Sequence, residues 1–154
     1  MTTIDTLAEF VAEFPLDRIP QATRAMAEDC ILDAVGASVA GFGTGGAKAI
    51  RAISASLFGP GQGTVWFAGD KASPLAAAFA NAQAASALDI DDGHRVALGH
   101  PGACAIPAAI AAAEAMGAGG AEVVAAVIMG YEAAVRLSLA RNMETHHCIA
   151  TGRW

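Results

Sequence analysis

The sequence predicts an all-α fold, a bundle of helices, and three observations support this. Apolar residues recur every three to four positions through most of the 154 residues, which is the period of an amphipathic helix. Short turns rich in glycine and proline separate the segments that have this period. About a quarter of the residues are alanine and 17 are glycine, so the predicted helices can pack with their backbones close together.

Two helices are predicted before the first glycine-rich turn. The first ends near Phe14 and has Thr6 or Asp5 as its predicted N-cap. The second runs from Pro20 to about Gly41, and its C-terminal half consists almost entirely of small residues. Because no bulky side chain holds the backbones apart there, we expect another helix to approach this half closely.

Two further helices are predicted in the middle of the chain, with a β-like run between them. The third helix covers Ala47–Leu57. The only β-like run, Thr64–Phe67, is too short to form a sheet of its own. Ser73 is the predicted N-cap and Pro74 the first residue of a fourth helix, which ends near Leu88.

The rest of the chain is predicted to contain two helices, Pro107–Met116 and Ala121 to about Asn142. The segment before them, Asp89–Gly102, has no helical period and is dense in polar groups. The last residues, Met143–Trp154, are predicted to be irregular. We find no internal repeat, linker or charge block, so no domain boundary is predicted within residues 1–154.

Composition excludes several classes of protein. Nine Lys and Arg against 15 Asp and Glu give a net charge of −6, which argues against binding to nucleic acid or to an anionic membrane. The longest uncharged run, Val96–Ala113, contains helix-breaking residues, so no membrane span is expected. The N-terminus is acidic and does not resemble a signal peptide. The three cysteines match no zinc framework and indicate reduced thiols, so we expect a cytoplasmic protein.

The segment between the fourth and fifth predicted helices carries the densest group of ionisable residues. It contains Asp89, Asp91, Asp92, His94 and His100 within twelve positions, between two nearly uncharged helices. Three interpretations remain open. The segment can be a solvated loop, a metal site in which Asp91, Asp92, His94 and His100 are ligands, or a metal-free acid–base site. The spacing matches no recognised metal motif, which favours the last over the second.

Two other features carry weaker signals. His146, His147 and Cys148 are adjacent, and adjacency is not the pattern of a Cys–His nucleophile, so a single contact with substrate from one histidine is the more plausible function. Tyr131 follows Gly130 within a predicted helix, and we expect a buried tyrosine whose hydroxyl has one hydrogen-bond partner.

An ordered set of motifs resembles the MmgE/PrpD family over nearly the whole chain. The set comprises Glu28–Gly36, Ala40–Gly41, Asn81, Ala87–His94, His100–Gly102, Pro107–Ala108, Gly130–Glu132 and Arg136. The resemblance implies a large helical domain, a smaller α+β lid domain and a homodimer. It also implies cofactor-free, metal-independent chemistry on a small polycarboxylic acid, as in 2-methylcitrate dehydratase, cis-aconitate decarboxylase and iminodisuccinate epimerase. The shared step is proton movement at a carbon next to a carboxylate.

The resemblance implies specific site residues. The aspartate that opens the motif and the histidine of the His–Pro pair correspond to Asp89 and His100, and Asp92 is a third candidate catalytic residue in the same loop. The candidate substrate-binding residues of the same loop are His94, Arg95 and Asp91. The family's decarboxylases have threonine where this chain has Gly93, so dehydration or isomerisation is favoured over decarboxylation.

The family's members are roughly three times as long, so residues 1–154 are expected to form the N-terminal part of the helical domain, without the lid. The predicted function is therefore that of a lyase or isomerase, of which this chain is a fragment. The alternative is a helical interaction module without catalytic activity, or a truncated relic. That alternative fits the small-residue helix faces, which can serve as an association surface.

Overall fold

The computed structural model describes residues 2–140, which form a bundle of six α-helices with one short hairpin. A single 3₁₀ turn at Leu16–Arg18 follows the first helix. The helices and strands, in chain order, are α1 Thr3–Glu13, α2 Gln21–Gly41, α3 Gly45–Phe58, β1 Gly63–Thr64, β2 Lys71–Ala72, α4 Pro74–Ser86, α5 Pro101–Met116 and α6 Gly120–Leu139. The predicted all-α fold is confirmed.

The N-cap of α1 is Thr2, so the prediction of Thr6 or Asp5 was wrong by one turn. The N–H of Asp5 donates to the Thr2 hydroxyl at 3.2 Å, and the N–H of Thr2 donates to the Asp5 carboxylate at 2.6 Å. Asp5 is thus the reciprocal partner in a capping box and not the cap itself. The helix that follows packs its aromatic residues toward α6, where Arg136 lies over the Phe10 ring.

Small residues let α2, α4 and α5 pack closely. At the end of α2, a Cβ added to Gly41 would overlap the carbonyl oxygen of Ala84 in α4, so only glycine fits at this crossing. Apart from Asn81, every buried residue of α4 is alanine. The close approach expected for the second half of α2 is therefore present, and it involves α4. A second, bulkier core lies between α2, α5 and α6 around Ile106 and Val127.

Only Thr64 of the predicted β-like run Thr64–Phe67 lies in a strand, and Trp66 and Phe67 lie in the turn of a short hairpin that the side chain of Asn81 holds. Gly63 and Thr64 pair in antiparallel register with Ala72 and Lys71. The buried amide of Asn81 donates to the Thr64 carbonyl and accepts from the N–H of Trp66, both at 2.9 Å. Since two-stranded hairpins are marginal alone, these hydrogen bonds to α4 explain why the two short strands form.

Helix α5 begins at Pro101, six residues before the predicted start at Pro107. Proline is favoured in the first turn of a helix because its missing N–H needs no partner there, and both Pro101 and Pro107 could occupy such a position. In the structure Pro101 occupies it, and Pro107 lies inside the helix, fully buried. The loop expected to end at Gly102 is accordingly shorter, and His100 becomes the N-cap residue of α5.

The remaining boundaries lie within a few residues of the predictions, except where those extend past the described residues. The predicted end of the last helix at Asn142, the irregular segment Met143–Trp154 and the His146–Cys148 group lie outside residues 2–140. Within residues 2–140 no single helix is both long and apolar enough to cross a bilayer; α2 and α3 reach that length only as a pair that bends by 100°.

Candidate active site

The loop between α4 and α5 is folded by its own backbone and anchored to α6. The N–H of His94 donates to the Gly99 carbonyl at 2.8 Å, which closes a small turn, and Nδ1 of His94 accepts from the N–H of Ala97 at 3.0 Å. The hydroxyl of Ser138, on α6, donates to the Ala97 carbonyl at 2.7 Å. These bonds place the loop over the start of α5 and form one wall of an open cleft.

His100 lies between two carboxylates, one at each ring nitrogen. Oδ1 of Asp89 lies 3.4 Å from Nε2, and Oδ2 of Asp91 lies 3.4 Å from Nδ1. The side chain of Asp89 is 72% exposed, that of His100 20% and that of Asp91 0%. Nδ1 therefore faces the interior and Nε2 the solvent side. Asp89 also has a left-handed backbone (φ 56°), which aspartate tolerates better than most residues.

The hydrogen bond at Nδ1 determines where the ring proton lies. Nδ1 of His100 is 3.1 Å from the backbone carbonyl oxygen of Asp91. A carbonyl can only accept, so Nδ1 carries a proton in this arrangement and Nε2 of the neutral ring has a free lone pair. Such a ring can accept a proton at Nε2 and return it, which is what general acid–base catalysis requires.

The carboxyl group of Asp91 is buried, and burial determines the direction in which its pKa shifts. Neither of its oxygens has a hydrogen-bond partner among residues 2–140. Desolvation raises the pKa of Asp91, while the nearby His100 opposes this rise. A buried carboxylate next to an imidazole stabilises the imidazolium once the ring has taken up a proton. Catalytic groups with perturbed pKa values are typically found in such environments.

Asp92 faces away from His100, although it is next to Asp91 in the chain. Its two carboxylate oxygens each lie 3.0 Å from the hydroxyl of Tyr131, which donates to them. Desolvation raises the pKa of Asp92 as well. Tyr131 was expected to be buried and is only half-buried, but its hydroxyl has the expected kind of partner, a carboxylate that was itself a candidate catalytic residue.

His94, Arg95, Asp91 and His100 line the same cleft, whose volume is about 390 Å³. Arg95 is exposed, and no carboxylate of the described part of the chain pairs with it, so its guanidinium is available to a ligand. The structure thus brings five of the six predicted site residues, all but Asp92, to one cleft or its rim.

Three side chains could offer ligands to a metal ion: Asp89, Asp91 and His100, whose ligand atoms lie within 4.8 Å of one another. Asp92 and His94, which the sequence also offered as ligands, lie outside this group. An imidazole presents one nitrogen to a given ion, and here each nitrogen faces a different carboxylate. The three ligand atoms are nevertheless close enough to share one ion, and the same geometry also allows proton exchange at His100.

Two residues near the site were missed in the sequence. Asp33, on α2, accepts a hydrogen bond from the N–H of Asp92 at 2.8 Å. Gly102 leaves the space that the Asp92–Tyr131 pair occupies, since a Cβ there would overlap both side chains. Both residues lie in motifs that the resemblance had singled out, but only the fold shows what they contact.

Comparison with known families identifies the chain. The family model of the MmgE/PrpD N-terminal domain matches residues 5–154. No curated protein and no solved structure is significantly similar to the chain. Since the match covers almost the whole sequence, the chain belongs to the MmgE/PrpD family, as the N-terminal domain of its members.

Proposed function

We propose that this chain contributes the acid–base site of a lyase or isomerase that moves a proton next to a carboxylate of a small polycarboxylic acid. The observation that carries the proposal is the placement of His100, with Nδ1 bound to the Asp91 carbonyl and Nε2 turned toward the open cleft. Membership in the MmgE/PrpD family supports the reaction class.

In the proposed mechanism, Nε2 of His100 takes the proton from a carbon next to a substrate carboxylate. The imidazolium that forms is stabilised by Asp91 behind the ring and by Asp89 beside Nε2, both at 3.4 Å. In a dehydration, the same Nε2–H then gives the proton to the leaving hydroxyl, which departs as water. In an epimerisation, His100 keeps this proton while a second acid, from elsewhere in the enzyme, protonates the opposite face of the carbon. Asp92 holds the loop in this scheme and does not exchange protons.

Substrate binding needs cations, because the loop carries three carboxylates and would otherwise repel a polycarboxylate. Arg95 is proposed to bind one substrate carboxylate, and His94 to donate a hydrogen bond from Nε2, since its Nδ1 is used as an acceptor. Further cationic side chains are proposed to come from the rest of the enzyme or from the second subunit of a homodimer. The proposal includes a cytoplasmic location, which the free thiols of Cys30 and Cys104 fit.

The test is an activity assay of the full-length protein on a panel of small di- and tricarboxylic acids, including 2-methylcitrate. We expect dehydration or epimerisation of at least one acid, and we expect the activity to survive a chelator. Turnover lost together with a stoichiometric metal would refute the metal-independent mechanism. No turnover of any acid would refute the proposed function.

A second candidate, a non-enzymatic interaction module, is favoured by one observation. Three large apolar side chains of α2 are exposed in the described chain: Met26, Leu32 and Val39. Leu32 and Val39, seven residues apart, lie on one face of the helix, and an exposed apolar face is typical of an association surface. Sedimentation decides whether the 154-residue chain associates through it, and the panel assay decides whether the full-length protein is also an enzyme. An associating protein that turns over no acid would establish this second function.

A further inference from the structure

The peptide unit between Asp91 and Asp92 is held at both of its polar groups. Its carbonyl oxygen lies 3.1 Å from Nδ1 of His100, and its N–H donates to Oδ2 of Asp33 at 2.8 Å. A trans peptide unit is planar, and its carbonyl and N–H point in opposite directions. The hydrogen bond to Asp33 on α2 therefore fixes the direction of the carbonyl that accepts the hydrogen bond from Nδ1 of His100.

The side chain of Asp92 is held by a second helix. The hydroxyl of Tyr131, on α6, donates to the carboxylate, with both oxygens at 3.0 Å. Burial and the adjacent Asp92 carboxylate raise the pKa of Tyr131, so its hydroxyl keeps its proton and acts as a donor. Gly102, at the start of α5, leaves room for the pair, because any Cβ at this position would overlap it.

These contacts clamp one short segment between α2 and α6. We propose that Asp33 and Tyr131 are positioning residues that hold Asp91–Asp92 so that His100 keeps its proton on Nδ1 and exchanges protons through Nε2. Neither residue lines the cleft, so each acts on the reaction only through the segment that it holds. The inference rests on the proposed function of His100, but its first test does not require the substrate.

The first test reads the protonation of the His100 ring directly. The full-length protein is labelled with ¹⁵N-histidine, and the His100 ring signals are identified by their loss in His100→Gln. In the wild type we expect the Nδ1–H tautomer of the neutral ring. In Asp33→Ala and in Tyr131→Phe we expect the signals to move toward a mixture of both tautomers, because the carbonyl acceptor is no longer held in place.

Two variants serve as controls. Asp29→Ala removes an equal charge from an exposed position one turn earlier on α2, and it should leave the His100 signals unchanged. Asp33→Asn keeps an oxygen that can accept from the N–H of Asp92, and it should retain the wild-type tautomer. The comparison separates loss of the hydrogen bond from loss of charge.

The second test is kinetic. Asp33→Ala and Tyr131→Phe should each lower kcat by about 10- to 100-fold, the scale found when the partner that orients a metal-binding histidine is removed. KM should change much less, because neither side chain lines the cleft. The pH profile of kcat should also shift, whereas a merely structural role would lower the amount of folded enzyme and leave the profile in place.

The outcomes are distinct. A wild-type ring protonated on Nε2, or variants that fold and keep both the Nδ1–H tautomer and the wild-type kcat, would overturn the proposal. If Asp33→Ala does not fold, Tyr131→Phe, which keeps the half-buried ring, decides by the same two measurements. If no acid is turned over but the tautomer changes as expected, the proposed function fails and the positioning role stands.

Discussion

The buried carboxylate of Asp91 lies 3.4 Å from Nδ1 of His100, whose other nitrogen faces the cleft. This relationship divides the two ring nitrogens between two tasks. Nδ1 is held by the protein, and Nε2 is left for a substrate. A carboxylate in this position costs free energy while it is charged and unpaired, and it contributes most when the ring becomes a cation.

We predict that His100→Gln lowers kcat of the full-length enzyme by about 10²-fold or more, the usual scale for an acid–base residue. Glutamine retains hydrogen-bonding capacity but cannot take up and return a proton. Substrate affinity should change much less. Steady-state kinetics across pH measure both effects, and a variant with near-normal kcat and an unchanged pH profile would show that His100 is structural.

We predict that Asp91→Asn flattens the dependence of stability on pH. Burial raises the pKa of Asp91 in the folded state above its ordinary value of 3.8, so the folded state binds this proton more tightly than the unfolded chain does. The stabilisation that this tighter proton binding gives the folded state is fully present below the ordinary pKa, and it is lost as the pH rises through the raised pKa. Thermal melts of the full-length protein from pH 4 to 8 should show a smaller decline in Tm for the variant.

The exposed Asp29→Asn is the control for this experiment, and its decline should equal that of the wild type. Asp91→Asn should also lose activity, because asparagine cannot stabilise the imidazolium by charge. If Tm declined with pH equally in Asp91→Asn and in the wild type, this would contradict the assignment of Asp91 as a buried, destabilising carboxylate.

We predict that Gly93→Thr changes substrate preference and leaves stability nearly unchanged. A Cβ at this position would lie 3.7 Å from Cε1 and 3.8 Å from Nε2 of His100, which is ordinary van der Waals contact. The larger side chain should therefore fit, but it would narrow the cleft beside the reactive nitrogen. The ratio of kcat/KM between the bulkiest and the smallest accepted acid should fall by about 10-fold or more. An unchanged ratio would place the substrate elsewhere.

We predict opposite effects for two glycines of α2. Gly41→Ala should destabilise the protein by roughly 1–3 kcal/mol, because its Cβ meets the backbone carbonyl of Ala84, which cannot move aside without moving α4. Gly36→Ala should stabilise it by about 0.5–1 kcal/mol, since a Cβ at Gly36 has nothing within 4 Å and alanine favours the helix. Denaturant unfolding measures both. Similar effects from the two substitutions would mean that α2 and α4 do not cross closely at Gly41.

The sequence predicted the number of helices and most of their bounds because apolar periodicity and capping residues act locally. It misplaced the start of α5 because Pro101 and Pro107 offer the same local signal. Only tertiary packing decides between them: the buried Pro107 is accommodated within a helix whose neighbours hold it in place. The cap of α1 was missed for a similar reason, since Thr2 and Thr6 are both acceptable caps.

At the site, the sequence found the residues but not their orientations. Asp91 and Asp92 are adjacent carboxylates, and no local pattern says which of them faces His100 and which faces Tyr131. The difference arises from α2 and α6, which lie far from the loop in the sequence and meet it only in the fold. Asp33 shows the same limit, because its carboxylate acquires a function only through a contact with a residue 59 positions away.

The buried alanines of α4 limit the substitutions that this helix tolerates. Five of its buried positions carry a single methyl group: Ala76, Ala77, Ala80, Ala84 and Ala85. A core of leucines can lose atoms and tolerate a cavity, but these positions have almost nothing to lose, so nearly every substitution adds volume. Variation at these positions of α4 should therefore be confined to exchanges with glycine or serine. The helix that precedes the α4–α5 loop should accordingly change very little in sequence during evolution.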